Sequence, residues 1–255
     1  MKRLIPLLLL FVSLPSLAQR QFDIEVIIFK RAVDAEKINE SWPNKLPEIS
    51  MARVGSFQDA QYRAKKNVQM LPHSEYHLKN QKESLRKHAG FNVLLHTAWR
   101  QGDEGKGSAP IFRIQAGRDY SAQFNADGSE KSALSGSSND ASFKEETIDK
   151  PLYELDGKLQ IYVQHYLYAE TTLDLKAPSV REITLQDQTI ELDAPLSGAD
   201  STVQVGNLKE ISPTVEVEEF LKSYRMDQKR RMRSTETHYL DNPLLGMIIQ
   251  VRRVE

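Results

Sequence analysis

Apolar and polar residues alternate along much of this chain with the two-residue period of a strand. Phe22 to Phe29 (FDIEVIIF) alternates and then runs apolar with β-branched residues dominating, which predicts a central strand buried on both faces for part of its length. Phe91 to Arg100 (FNVLLHTAWR) predicts a second, with Phe91, Val93, Leu95, Thr97 and Trp99 on one face and His96 on the other. The longest alternation runs from Leu159 to Leu175. Leu159, Ile161, Val163, His165, Leu167, Ala169, Thr171, Leu173 and Leu175 point one way, and Gln160, Tyr162, Gln164, Tyr166, Tyr168, Glu170, Thr172 and Asp174 the other. Asp156-Gly157, which accepts the positive φ angles of a tight turn, predicts a hairpin between this strand and Leu152 to Leu155. Near the end, an arm from about Tyr224 to Tyr239 and another from Leu244 to Val254, joined across Asp241-Asn242-Pro243, are expected to pair antiparallel.

Helical signal is concentrated in one place. Ser74 to Ala89 is rich in helix formers, sets Leu78, Leu85 and Ala89 on one stripe, and stops at Gly90, a residue suited to a left-handed cap. Lys30 to Leu71, interrupted by Trp42-Pro43, Pro47 and Gly55, reads as a long connection with room for one helical turn. Ile111 to Gln115 is a short strand. The fold class is α+β: a mostly antiparallel sheet with at least one packed helix and long polar loops. Mobile insertions are expected near 117–150, rich in Gly, Ser, Asn and Asp, and near 193–206.

The N-terminus carries a different signal. Lys2 and Arg3 precede an apolar run from Leu4 to Leu14, and Ser16-Leu17-Ala18 offers small residues where a signal peptidase reads, so residues 1–18 are expected to be removed and the working chain to begin at Gln19. The apolar run is about half of the roughly 20 residues that a membrane span needs, which argues against an anchor. The absence of cysteine leaves no thiol to carry a lipid and no disulfide. Residues 19–255 are long enough for a single α+β domain with one sizeable core.

Charge gives no overall pull toward nucleic acid: without Lys2 and Arg3 the 34 basic residues fall to 32 against 35 acidic ones, a formal −3. Its distribution is uneven. Arg225, Lys229, Arg231 and Arg233 share one strand parity, with Arg230 on the other, so one sheet face would present forked donors suited to carboxylates; the alternative is a solvated edge strand kept soluble by charge. Tyr162, Tyr166 and Tyr168, interleaved with Gln160 and Gln164, could stack on sugar rings, or pack beneath a covering element, the outcome that large side chains on both faces of one strand favour.

Motifs of catalysis are missing: the chain has no HExxH, no GxSxG, no phosphate-binding glycine loop and no cysteine. No catalytic residue, metal ligand or cofactor is assigned. His73 and His77 lie four apart, but His73 precedes the predicted helix and no carboxylate follows at metalloprotease spacing, so both read as surface residues. His165 falls on the apolar face and reads as a hydrogen-bonded core histidine.

Five segments carry a resemblance: FDIEVIIFKR (Phe22 to Arg31), SWP (Ser41 to Pro43), LLHTAWRQ (Leu94 to Gln101), LQIYVQHYLYAETTLDL (Leu159 to Leu175) and RRMRSTETHYLDNPLLGMIIQV (Arg230 to Val251). Together they resemble the CsiV family, cell-shape-integrity proteins of γ-proteobacteria described as periplasmic and peptidoglycan-binding. The resemblance implies a periplasmic accessory protein, not lipidated and without a membrane span, that binds peptidoglycan. It further implies support of cell-wall assembly through a class A penicillin-binding synthase and that enzyme's outer-membrane lipoprotein activator. It brings no set of binding residues, so Arg225, Lys229, Arg231, Arg233, Tyr162, Tyr166 and Tyr168 stand as ligand candidates on their chemistry alone. The competing readings are a wall-active hydrolase using His165 or His96 with an acidic partner, and a structural partner of an envelope complex without wall affinity.

Overall fold

The computed structural model describes residues 20–38, 40–131, 150–185 and 214–254. The expected signal segment and the insertion near 193–206 lie outside these residues, as does 132–149 of the insertion near 117–150.

Among the described residues ten strands form two five-stranded sheets. The first has the order β3-β4-β1-β10-β9, from β1 (Gln21–Arg31), β3 (Gln69–Met70), β4 (Phe91–Gly102), β9 (Thr237–Asp241) and β10 (Leu245–Val254). The second has the order β2-β5-β6-β7-β8, from β2 (Val54–Gly55), β5 (Ile111–Asp119), β6 (Tyr153–Gln164), β7 (Tyr166–Leu185) and β8 (Thr214–Met232). Among the described residues β2 pairs parallel with β5, while β1 with β4 and β10, β3 with β4, β9 with β10, and β6 with β5 and β7 pair antiparallel. Two helices are present among the described residues, α1 (Ala60–Lys65) and α2 (Lys79–Lys87), and none is long and apolar enough to cross a membrane.

The chain divides into two compact units. The first comprises 1–119, 153–176 and 223–255; the second comprises 120–152 and 177–222. β7 and β8 contribute residues to both. In the second unit Tyr120, Phe124 and Leu221 form a small buried cluster with Leu152 beside it, and Arg181 pairs with Glu218 at 2.8 Å.

The first unit is layered as helix, sheet, sheet. β1 lies at its centre, with Ile24 through Phe29 buried, as the FDIEVIIF run requires. Ile27 and Phe29 face α2, where Leu78, Leu85, Phe91, Val93 and Ile248 complete a cluster. The other side of β1 meets the second sheet: Trp99 stands 5.4 Å from Phe112 between ring centroids, and Gln101 Nε2 donates to the Ile161 carbonyl at 2.9 Å. Burial of a large aromatic of this kind contributes on the order of 2 to 3 kcal/mol.

Several local expectations are corrected. No hairpin forms at Asp156-Gly157, because β6 runs straight through it; Gly157 is needed instead because a Cβ there would lie 2.2 Å from the Thr172 carbonyl oxygen on β7. The chain reverses at Gln164, His165 and Tyr166, with His165 in the left-handed region at φ 58°. This turn pairs Val163 with Leu167 and Tyr162 with Tyr168, so residues of one parity remain on one face and the alternation reads correctly across the reversal. His165 is therefore exposed on a turn and is no core histidine. In β4 the register shifts, with Ile28 opposite Leu95 but Phe29 opposite Val93, a bulge at Leu94. It turns Phe91 and Val93 toward α2 while Thr97 and Trp99 face the second sheet.

The predicted helix ends at Lys87, and its cap His88 is extended at φ −89°, without a left-handed glycine. β9 and β10 pair antiparallel as expected, but most of the predicted Tyr224 to Tyr239 arm belongs to β8 in the other sheet. The segment 233–236 carries the chain between sheets.

Candidate functional site

The tyrosines of the β6–β7 hairpin and the cations of β8 come together on the outer face of the second sheet. Tyr162 and Tyr168 are cross-strand partners with rings stacked at 5.4 Å and 24°. Lys229 Nζ lies over both, 4.9 Å from the Tyr168 centroid and 5.9 Å from that of Tyr162, and the Arg231 guanidinium lies 4.6 Å over Tyr166. Arg225 donates from Nε and Nη2 to the two oxygens of Asp174, each at 2.8 Å. As β8 advances from 225 to 231, its partners on β7 retreat from 174 to 166, so the two strands run antiparallel here.

Exposure grades along this ladder. Tyr162 is 1% exposed and Tyr166 is 54% exposed, with Tyr168 between them. The expectation of a covered tyrosine face therefore holds for Tyr162, while Tyr166 stands open. Lys106, which has no place in the sequence reading, and Glu170, read there only as an outward-facing residue, complete the covered end. Lys106 Nζ sits 5.7 Å over the Tyr162 ring and donates to both Glu170 oxygens at 2.7 and 2.9 Å, and the Tyr162 hydroxyl donates to Glu170 at 3.2 Å. Burial pushes the Glu170 carboxyl up, but Lys106, the Tyr162 hydroxyl and the Lys229 charge more than offset it and hold it below its ordinary value. The Tyr162 hydroxyl, followed by the Glu170 charge, raises Lys229 above the ordinary lysine value, which keeps it an ammonium. Arg233 stays apart. It lies past the end of β8, strongly exposed, with Glu236 at 3.7 Å.

A second polar constellation lies on the helix side of the first sheet. Glu25, fully buried in β1, accepts from the backbone amides of His77 (2.7 Å) and Leu78 (2.9 Å), from Arg252 Nη1 (3.1 Å), and lies 2.8 Å from His96 Nε2. Burial would raise this carboxyl; the four contacts outweigh it and bring it down to about 2. Glu25 thus ties β1 to β4, β10 and the start of α2, where Leu78 offers no side-chain cap. The strand pattern of Phe22 to Phe29 assigned Glu25 no role. His73, by contrast, stacks on Tyr76 at 4.5 Å, and among the described residues no group of three or more His, Asp or Glu side chains gathers as a metal site.

The fold is that of an α+β protein whose outer sheet face combines aromatic rings with cations. Residues 3–254 match the sequence profile of a family described as "Peptidoglycan-binding protein, CsiV", and the chain belongs to that family. No curated protein and no solved structure matches it.

Proposed function

We propose that the chain is a non-enzymatic accessory protein that binds peptidoglycan in the periplasm through the outer face of its second sheet. Tyr166 and Tyr168 stack on sugar rings, and Lys229 and Arg231 pair with carboxylates of the stem peptides. One observation carries this reading: the exposed Tyr166, the half-buried Tyr168 and cations from a separate segment converge on one face, and among the described residues neither Lys229 nor Arg231 has a carboxylate at ion-pair distance. Arg225, locked to Asp174, serves the face by tying β8 to β7, and Arg233, in the turn beyond β8, is left out of it. The proposal extends to export by residues 1–18, with the envelope form beginning at Gln19, and to support of a class A penicillin-binding synthase through its outer-membrane lipoprotein activator.

The residues named for a wall hydrolase support it poorly. His96 has its acidic partner in Glu25, but their side chains are 3% and 0% exposed, and His165 stands on a turn. The test is sedimentation with purified sacculi. Lys229→Ala with Arg231→Ala is expected to weaken pelleting on the order of tenfold or more, about 1.4 kcal/mol per decade, while the variant melts like the parent. Undiminished pelleting by the folded double variant overturns this site, and a parent that stays in the supernatant overturns wall binding.

A further inference from the structure

At the covered end of the tyrosine ladder the same sheet face sinks into a pocket of about 200 Å³. Its floor is built from β6 and β7: Lys158 is opposite Thr172 and Gln160 opposite Glu170, all of the parity that faces outward. Its walls are the segment around Arg53 and the loop carrying Lys106.

The walls are held in place. Gln160 Nε2 donates to the carbonyls of Lys106 (2.8 Å) and Ala109 (3.2 Å), which fixes the loop over the sheet. Lys158 Nζ donates to the Ser50 carbonyl at 2.7 Å and Arg53 Nη1 to that of Gly107 at 2.9 Å. The Tyr62 hydroxyl bridges the two walls: it accepts from the Ile111 amide at 2.9 Å and has one proton to donate to the carbonyl of either Arg53 (3.2 Å) or Ile111 (2.9 Å). Arg53 itself has φ 63°, in the left-handed region that side-chain-bearing residues enter rarely, a conformation that concentrates at ligand sites.

Charge in the pocket is unbalanced. Arg53, Lys106 and Lys158 bring three positive charges against the single carboxylate of Glu170, which Lys106 engages through both oxygens. Lys158 and Arg53 donate only to backbone carbonyls, which leaves two cations without a counter-charge among the described residues. An anion entering here would gain charge-assisted hydrogen bonds that the carbonyls do not supply. Size narrows the choice: sites for drug-sized ligands span roughly 300 to 1,000 Å³, so this pocket accepts one small acidic group and excludes a disaccharide.

We infer that the pocket formed by Arg53, Lys158 and Thr172 takes a free carboxylate of a wall stem peptide, while the adjoining tyrosine face holds the rest of the polymer. The inference rests on the wall-binding reading above. Its test titrates the full chain with a soluble stem tetrapeptide and with the same peptide fully amidated, beside pelleting on sacculi. The parent is expected to prefer the acid form on the order of tenfold. Arg53→Gln with Lys158→Gln should bring the two forms within about twofold, and Lys158→Arg should restore the preference, which separates loss of charge from a displaced wall. Lys229→Ala with Arg231→Ala should lower the preference less than Arg53→Gln with Lys158→Gln does. Equal binding of both forms by a parent that still pellets with sacculi overturns the pocket alone. A preference that survives Arg53→Gln with Lys158→Gln but disappears in the Lys229 and Arg231 variant also overturns it, assigning the carboxylate to the tyrosine face. A parent that fails to pellet overturns the wall reading and this inference with it.

Discussion

Replacing Glu25 by glutamine keeps the size of the side chain and removes its charge, at the one position where β1, β4, β10 and the start of α2 share an acceptor. The carboxyl is held at about 2 against an ordinary 4.5; at about 1.36 kcal/mol per unit this corresponds to about 3 kcal/mol of stability. The sign follows from the direction of the shift. A carboxylate whose folded value is depressed contributes fully above 4.5, and the contribution is lost as pH falls from there toward about 2. Glutamine also turns an N–H₂ toward donors, leaving at least one of Arg252, His96 or the two amides unsatisfied. Urea unfolding of parent and Glu25→Gln at a series of pH values should show a gap of about 3 kcal/mol at neutrality, seen in thermal melts as about 6 to 12 °C for a domain of this size. The gap should close across the acid window because only the parent has a carboxylate to protonate. Curves that stay parallel throughout would refute the assignment, since the stabilisation would then not depend on the charge of Glu25.

The two ends of the tyrosine ladder should separate stability from binding. Tyr162→Ala is expected to cost about 3 to 5 kcal/mol by melt, as truncation of a buried aromatic does, whereas Tyr166→Ala should melt like the parent and pellet less with sacculi. Gly157→Val should prevent pairing of β6 with β7, because even a Cβ would lie 2.2 Å from the Thr172 carbonyl oxygen; a variant that folds with parental stability would contradict this. Arg225→Ala leaves Asp174, whose side chain is only 13% exposed, without its bidentate partner, and should cost about 3 kcal/mol in chemical unfolding. Asp174→Asn in the same chain should recover part of that loss.

Side-chain periodicity made the faces of this fold legible, and pairing was harder to read. The outward set from Gln160 to Asp174 was readable although two strands were taken for one, because the turn at His165 joins residues of the same parity. The place of that turn was hidden: Asp156-Gly157 carries the stronger local signal, while Gln164-His165-Tyr166 contains no glycine and relies on a histidine in the left-handed region. Phe91 and Val93 were assigned to the face of Trp99 because a bulge such as that at Leu94 changes parity without changing composition. The cations of β8 and the tyrosines of β7 were each recognisable, but only the pairing of those strands places them together. Lys106 and Lys158 carried no signal and Glu170 was placed only on the outward face; their meeting depends on a loop folded over the sheet. Glu25 went unremarked within the FDIEVIIF strand, because its four partners come from β4, β10 and the segment at the start of α2.

The pairing of β1 on both sides has a kinetic consequence. One edge is closed by β4, and the other by β10, with Gln21 opposite Val254 and Ile24 opposite Val251. That second edge stays open until nearly the whole chain has been delivered, and its closure carries the entropy of a loop of more than two hundred residues. A central, largely apolar strand thus waits for its second partner until late in folding. Aggregation through β1 is the hazard of slow assembly here, and early protection of Ile24, Val26 and Ile28 by a chaperone would act at the step where the fold is most exposed.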